Sequence, residues 1–248
     1  EQITCFKLDG SVVYQSVAGR AWTKSFQETR CTPIVDDDRL YYITGMGECV
    51  CMNRADGKII WKNDFWNKYT ISPSDQGMCE QVLLDKNRVL VTVNGKDIVM
   101  VAFDKLTGET LWETPGNGDQ ANYMASRIIE WKGIRQVVCA SEGHIYGINP
   151  ETGEKIWSDN KWNPELEKKP WAFTLINTPV FYEGYLFVSC GDGYGCTMYK
   201  MSDDLSSVEL LWKNKELDFY IGGMIELGGV IYGSTGDKNK WAAFDIKT

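Results

Sequence analysis

The stretch AFDKLTGETLW, residues 102 to 112, joins two short apolar segments through a Thr-Gly pair and ends on a tryptophan four residues after the glycine. Closely similar stretches occur as CMNRADGKIIW at 51 to 61 and GINPETGEKIW at 147 to 157. Glycine adopts the positive φ that a tight hairpin turn requires, and Asn or Asp beside it bonds back to the backbone. Each stretch therefore predicts two antiparallel strands joined by a turn.

Recurrence of the turn glycine shows that the chain is built from repeats. The glycines are Gly10, Gly57, Gly108 and Gly153, spaced by 47, 51 and 45 residues, and the aromatic residues four positions later are Tyr14, Trp61, Trp112 and Trp157. A fifth copy, KMSDDLSSVELLW at 200 to 212, lacks the glycine but keeps Trp212. A sixth copy, WAAFDIKT, ends at Thr248.

Each repeat contains four segments with the composition of short strands. They are rich in β-branched and aromatic residues, which suit a pleated surface, and turn-forming clusters such as DDDR at 36 to 39 separate them. We label these strands A to D, so that residues 102 to 112 span strand C, the turn and strand D. Four-stranded antiparallel units repeating every 45 to 55 residues are typical of β-propeller blades.

The predicted fold is therefore all-β, one β-propeller domain over residues 1–248 with about five to six blades represented. The predicted segments are the end of one blade at 1–19, whole blades at 20–69, 70–120, 121–162 and 163–216, and a partial blade at 217–248.

We interpret the repeat motif itself as structural. Its residues are Gly57, Trp61, Gly108, Trp112, Gly153, Trp157 and Trp212. Each tryptophan falls on the outermost strand, where its ring can cover the edge of the adjacent sheet and its indole N–H can bond to it. Strand C carries a column of small residues, which we expect to accommodate a neighbouring side chain: Cys5, Cys51, Ala102, Gly147 and Ala243.

Composition excludes several classes of function. With 43% hydrophobic residues the chain can bury a large core, and a net charge of -8 disfavours nucleic-acid binding. No segment approaches the roughly 20 continuous apolar residues of a membrane helix, and the printed residues do not begin with the basic-then-apolar pattern expected of a secretory leader.

The pattern Ala-x-Asp-x-x-Thr-Gly-x-x-x-Trp, from Ala102 to Trp112, resembles the repeat of the pyrroloquinoline-quinone-like β-propellers. That family includes quinoprotein alcohol dehydrogenases and the non-enzymatic propeller lipoprotein of the bacterial outer-membrane protein assembly machinery. The resemblance covers essentially the whole chain. It implies a ring of seven or eight blades, and we therefore expect this chain to be part of a longer protein.

Resemblance to the enzymes of that family would imply a vicinal disulfide, a calcium ion bound by Glu, Asn and Asp, and a catalytic Asp beside the quinone. Here Val50 separates Cys49 from Cys51, and the acidic clusters at 36–38 and 191–193 fall where turns are expected. We therefore assign no catalytic, cofactor-binding or metal residue. Pyrroloquinoline quinone and calcium are implied if active-site blades lie outside this chain.

Histidine and cysteine give two further expectations. His144, the single histidine, begins a strand C segment and is interpreted as structural, with a functional role as the alternative. Cys190 and Cys196 flank GDGYG across the turn between strands B and C. This placement is compatible with a cross-strand disulfide, and free thiols are the alternative.

The long connections from strand D to the next strand A carry the candidate binding residues. In a propeller these connections share one face with the B to C turns, and loops on a rigid scaffold often carry recognition. The candidates are Phe65, Trp66, Tyr69, Tyr123, Trp162, Trp171, Phe219 and Tyr220. Clustered aromatics can bind a peptide or a sugar; the alternative is that they cap the ends of the blades.

The sequence therefore predicts a non-catalytic propeller scaffold outside the cytoplasm, periplasmic or anchored to the outer membrane, that presents one loop face to a protein or peptide. A quinone-dependent dehydrogenase and a glycan-binding module are the alternatives.

Overall fold

The computed structural model describes residues 1–25, 27, 30–71, 76–93, 95, 97–162, 175–191, 194–235 and 240–247, without the side chains of 220–222. Within these residues there are 21 strands and one short helix. No described helix has the length and apolar character needed to cross a bilayer.

The strands form six antiparallel sheets. The first sheet pairs β1 (Gln2–Phe6) with β2 (Val12–Val17). The second contains β3 (Ile34–Asp36), β4 (Arg39–Ile43), β5 (Glu48–Asn53) and β6 (Ile59–Asp64), and α1 (Phe65–Lys68) follows it. The third contains β7 (Leu83–Asp85), β8 (Arg88–Thr92), β9 (Ile98–Asp104) and β10 (Thr110–Pro115).

The remaining three sheets repeat the pattern. The fourth contains β11 (Arg127–Trp131), β12 (Ile134–Ala140), β13 (Ile145–Ile148) and β14 (Lys155–Asp159). The fifth contains β15 (Val180–Tyr182), β16 (Tyr185–Ser189), β17 (Cys196–Met201) and β18 (Val208–Asn214). The sixth contains β19 (Phe219–Leu227), β20 (Val230–Thr235) and β21 (Lys240–Asp245).

Each four-stranded sheet is ordered A-B-C-D by consecutive hairpins, as predicted, and the all-β propeller-blade fold class is confirmed. The residue contacts cluster into two compact units, Glu1–Ala121 and Asn122–Thr248. A single domain with the segment bounds given above stays a prediction.

Burial differs between the inner and the outer strands of a sheet. Strands B and C are almost continuously buried, as in RVLVT of β8 and IVMVAFD of β9, because both of their faces are covered. Strand D alternates between half-buried and exposed positions, as in VELLWKN of β18. In unit 1 the second and third sheets share one apolar cluster that includes Tyr41, Val50 and Val101.

The column of small residues lies opposite the aromatic residue of strand D in its own sheet. Cys51 pairs with Trp61, Ala102 with Trp112, and Gly147 with Trp157. At Gly147 an added Cβ would lie 2.1 Å from Trp157 Nε1. The space beside each small residue of strand C is therefore filled by the tryptophan ring of strand D in the same blade. In each hairpin this pair lies next to a register shift.

The indole Nε1 of Trp112 is buried with no hydrogen-bond partner among the described residues, so the predicted bond to the next sheet is not seen there. Trp61, in contrast, contacts the following sheet. Its indole N–H donates to Lys105 O at 3.1 Å, and its ring lies over Gly108, where an added Cβ would be 2.7 Å from Trp61 Cδ2. The aromatic position of one blade therefore covers the turn glycine of the next. Tyr14 lies over Gly57 in the same way.

In unit 2 the other tryptophans make the same kind of link by different contacts. Trp157 Nε1 donates to Gln136 Oε1 at 2.9 Å, and Gln136 Nε2 donates to Leu205 O of the next sheet at 2.6 Å. Trp212 contacts Phe244 of the sixth sheet, with ring centroids 6.2 Å apart. The link between neighbouring blades is therefore kept while its hydrogen bond changes.

Candidate functional site

In each unit the D to A connections and the B to C turns lie at the same end of the sheets, which we call the connection face. In unit 1 the amides of Phe65 and Trp66 donate to Gly47 O in the B to C turn, and the amide of Met78 donates to Gly45 O. In unit 2, Gly195 N of a B to C turn donates to Asp218 Oδ1 of the next connection at 3.1 Å. These bonds hold the connections against rigid turns.

A charged network supports the start of the connection that follows β6. Asp64 caps α1 by accepting from Asn67 N, and its other oxygen accepts from the Arg20 guanidinium at 2.7 Å. Glu48 is buried and bonds to Arg20 N and to Lys62 Nζ. Burial alone would raise the pKa of Glu48, but the Arg20 amide and the Lys62 ammonium outweigh it and lower that pKa.

The predicted aromatic residues do not all offer surface to a partner. Four are buried: Phe65, Tyr69, Trp162 and Phe219, with exposures of 1%, 8%, 3% and 0%. Their burial favours the capping interpretation for these four. Trp66 and Tyr123 are half-buried. Trp171 and the side chain of Tyr220 lie outside the described residues.

Trp66 forms a pair with a residue that the sequence analysis missed. Its ring centroid lies 6.1 Å from that of Trp22, which is in the connection before the second sheet, and the Lys24 ammonium lies 5.4 Å from the Trp22 ring. The available signal was the position of Trp22 in a D to A connection, the kind of segment that supplied the other candidates.

Tyr69 binds the next sheet instead of solvent. Its hydroxyl donates to Glu113 Oε1 at 2.6 Å, and Lys68 Nζ lies 2.7 Å from the same oxygen. The hydrogen bonds from Lys68 and Tyr69 lower the pKa of the Glu113 carboxyl. This cluster fastens the start of the connection between β6 and β7 to β10.

The histidine and the first acidic cluster considered in the sequence make contacts within the fold. His144 contacts the ring of Tyr146, with centroids 5.9 Å apart, and its amide donates to Ser141 Oγ. Asp37 and Asp38 form the turn after β3, and Asp36 pairs with Lys105, whereas residues 192–193 lie outside the description. Among the described residues, no three His, Cys, Asp or Glu side chains are grouped so that they could hold a metal ion.

Cys190 and Cys196 do not form the cross-strand disulfide that the sequence allowed as one of two alternatives. Both are free thiols, and the register pairs Cys196 with Ser189. Cys190 packs in the cluster with Val188 and Tyr199, while Cys196 packs with Phe187 in a different cluster. A shift of one residue along a strand turns the side chain to the opposite face of the sheet, so the two sulfurs do not face each other.

Glu80 lies shortly before β7, at the end of the connection between β6 and β7. Its carboxyl group is buried, with the residue 2% exposed, and is hydrogen-bonded to Thr92. Burial raises its pKa well above the ordinary value, and the Thr92 bond offsets only part of this. The folded protein therefore holds a proton here at pH values where the unfolded chain has released it. Stability from this group is complete below the unfolded pKa of about 4.3 and is lost as the pH rises toward the folded pKa.

We expect Glu80→Gln to remove this dependence, because the amide carries no proton to release. In the native chain this group should lower the free energy of unfolding by up to about 1.4 kcal/mol per pH unit above about pH 4.3. Urea unfolding of both proteins between about pH 5 and pH 8 measures the difference, with exposed Glu109→Gln as the control. Parallel pH profiles for the native chain and Glu80→Gln would show that Glu80 is ionised in the fold.

Comparison with known proteins agrees with this architecture. The model of the family described as outer membrane protein assembly factor BamB matches residues 1–248. The chain belongs to this family. A relative from Kangiella koreensis, an outer membrane protein assembly factor BamB, is 26% identical over 134 residues, which are 50% of this chain and 28% of the relative.

Two solved structures show how the BamB-family chain compares in fold. The crystal structure of BamB from Moraxella catarrhalis has a TM-score of 0.64 at 15% identity and is matched over 100% of this chain and 65% of its own. The quinohemoprotein alcohol dehydrogenase from Comamonas testosteroni has a TM-score of 0.55 at 17% identity, over 92% of this chain and 45% of its own. The chain thus spans less than two thirds of each of these relatives.

Proposed function

We propose that this protein is a non-catalytic scaffold, working outside the cytoplasm, whose connection face binds a protein partner in outer-membrane protein assembly. The match of the assembly-factor family over residues 1–248 carries this proposal. Membership of that family supports protein binding as the activity and the cell envelope as its location.

The connection face of unit 1 is the part of the molecule that fits this role best. Phe65, Trp66 and Met78 are held by backbone bonds to Gly45 and Gly47, so these parts of the connections are positioned before a partner arrives. Trp66 is half-buried on this face, and Asp64, two residues before it in the chain, forms an ion pair with Arg20. A partly covered tryptophan with charged neighbours is the arrangement typical of interface hot spots.

We expect a photoreactive aromatic residue introduced at exposed Lys24 to crosslink to an envelope protein in cells of the source organism. Trp66→Ala in the same background should reduce the crosslink by about 10- to 30-fold, because truncating a hot-spot tryptophan costs about 2 kcal/mol of binding free energy. Mass spectrometry of the crosslinked band identifies the partner, and the band intensity gives the effect.

The control places the photoreactive residue at Glu109, which is exposed in the Thr-Gly hairpin at the other end of the sheet. Crosslinks from Glu109 with none from Lys24 would place the functional surface at the hairpin end and overturn the proposal. An unchanged Lys24 crosslink in Trp66→Ala would remove Trp66 from the interface but keep the face.

The dehydrogenase alternative has its own test. The full-length protein is incubated with pyrroloquinoline quinone and calcium, and dye-linked oxidation of an alcohol is measured. Turnover with the cofactor would show an enzyme and contradict the scaffold proposal, whatever the crosslinking result.

A further inference from the structure

We propose that Cys31 and Cys79 form a reversible disulfide that joins two neighbouring connections on the connection face of unit 1. Cys31 lies three residues before β3, and Cys79 lies four residues before β7. The bond would therefore tie the entry of the second sheet to the entry of the third. Both residues are thiols in the structure.

The position of the Cys31 sulfur carries the proposal. Cys31 Sγ lies 2.8 Å from Glu80 O and 3.8 Å from Met78 O, the carbonyl oxygen of the peptide that leads directly into Cys79. A carbonyl oxygen lies about 3 Å from the next Cα, so the Cys31 sulfur is within about 7 Å of the Cys79 Cα. Disulfides join residues whose Cα atoms are about 4.4–6.8 Å apart, so the bond requires the Cys31 and Cys79 side chains to rotate toward each other and the two segments to approach wherever their Cα atoms lie beyond that range.

A second bond holds the same two segments beside each other. The guanidinium of Arg30, the residue before Cys31, donates to Gln76 O at 3.0 Å. Because the segments already run side by side, forming the bridge requires little further ordering of the backbone. The bridge would enclose residues 32–78 and so restrict the unfolded chain.

The two thiols differ in access, which sets the order of reaction. Cys31 is buried and Cys79 is half-buried. Burial raises the pKa of the Cys79 thiol to about 11 and also raises that of Cys31. Cys79 is therefore the thiol that a reagent reaches first, and the reaction should be slow at neutral pH because little thiolate is present.

Thiol–disulfide exchange with a small-molecule disulfide such as oxidised glutathione supplies the oxidant. The Cys79 thiolate attacks one sulfur of the donor, forming a mixed disulfide and releasing one thiolate. The Cys31 thiolate then attacks the Cys79 sulfur and releases the second. Two S–H bonds are lost, one S–S bond forms, and the donor disulfide is reduced to two thiols.

Peptide mapping tests the bond directly. The purified protein is oxidised with glutathione disulfide at about pH 8.5, where more thiolate is present, and a second sample is refolded from the reduced, unfolded state in the same buffer. Free thiols are alkylated under denaturing conditions, and the protein is cleaved with trypsin without reduction. Cys31 falls in CTPIVDDDR (31–39) and Cys79 in YTISPSDQGMCEQVLLDK (69–86), each with a single cysteine.

We expect these two peptides to appear linked and lighter than their sum by two hydrogen atoms. Cys190 and Cys196 share one tryptic peptide, which should carry two alkyl groups and serves as the internal control. Cys31→Ser and Cys79→Ser should each remove the linked species. Alkylation of both Cys31 and Cys79 in both samples, or linkage of either to another cysteine, would overturn the proposal.

Thermal unfolding gives a second readout that does not depend on any partner. The oxidised native chain should melt about 5 °C or more above the reduced chain, because a bridge that closes a long loop typically stabilises. This difference should vanish in Cys79→Ser, whose half-buried site tolerates a hydroxyl. Equal melting temperatures of the oxidised and reduced native chains would show that the bridge, even if formed, does not fasten the two connections.

Discussion

Trp61→Ala is expected to lower the free energy of unfolding by about 3–5 kcal/mol, the range for truncation of a buried aromatic side chain. Trp61 is 8% exposed, contacts Tyr41 and Phe103, and covers Gly108 of the next sheet. Its removal leaves a cavity between the second and third sheets that the strands cannot close. The melting temperature should fall by about 10 °C, as measured by calorimetry or circular dichroism.

Trp61→Phe is the matched control, because it keeps a ring over Gly108 but loses the indole N–H. Lys105 O would still accept from the Tyr41 hydroxyl at 3.1 Å, so the carbonyl stays paired. We expect this variant to lose less than about 2 kcal/mol. If Trp61→Phe lost as much stability as Trp61→Ala, the hydrogen bond and not the ring would account for the link between the sheets. If the melting temperature of Trp61→Ala were unchanged, Trp61 would not link the two sheets at all.

The fold could be predicted because its decisive signal is local and repeated. A turn glycine and an aromatic four residues later determine a hairpin, and 45 to 51 residues between glycines leave room for two more strands. The sheets observed at β3 to β18 follow that pattern. Even Trp212, whose repeat lacks the glycine, keeps its contact with the next sheet.

Register across the hairpins could not be predicted from the pattern. The small residue of strand C and the aromatic of strand D come into contact next to a register shift, as at Gly147 and Trp157, and a shift of one residue reverses the face of a side chain. The same ambiguity left the state of Cys190 and Cys196 open in the sequence. Cys190 and Cys196 are close in sequence but belong to opposite faces of their sheet, as their different clusters show.

The candidate site was harder to predict because connections lack periodicity. Phe65 and Trp66 are consecutive in sequence, yet the first is buried and the second half-buried. What separates them is α1, whose four residues direct Phe65 into the apolar cluster. The amino-acid sequence alone does not distinguish an aromatic residue that caps the end of a blade from one that lies on the surface. The Trp22–Trp66 pair likewise requires the approach of two connections 44 residues apart in the chain.

Gly108→Ala is expected to be nearly as destabilising as loss of Trp61, at about 3–4 kcal/mol, for two separable reasons. Gly108 has φ +77°, a left-handed conformation that costs a residue with a Cβ about 1–2 kcal/mol. The added Cβ would also lie 2.7 Å from Trp61 Cδ2, and overpacking against a buried ring costs about 1–3 kcal/mol. Chemical denaturation of the variant and the native chain measures the sum.

Gly133→Ala separates the two reasons, since Gly133 has φ +78° but an added Cβ would meet nothing within 4 Å. It should show the conformational cost alone, about 1–2 kcal/mol. The remainder at Gly108 then belongs to the ring, and a double-mutant cycle tests that assignment. In Trp61→Ala the space over Gly108 is open, so adding Gly108→Ala should cost about 1–3 kcal/mol less than it does in the native chain. Adding Gly133→Ala to Trp61→Ala should cost the same as it does alone. If the stability losses of both glycine substitutions add to that of Trp61→Ala without coupling, the tryptophan does not rest on the turn of the next blade. The glycine of the repeat would then be required for its backbone conformation alone.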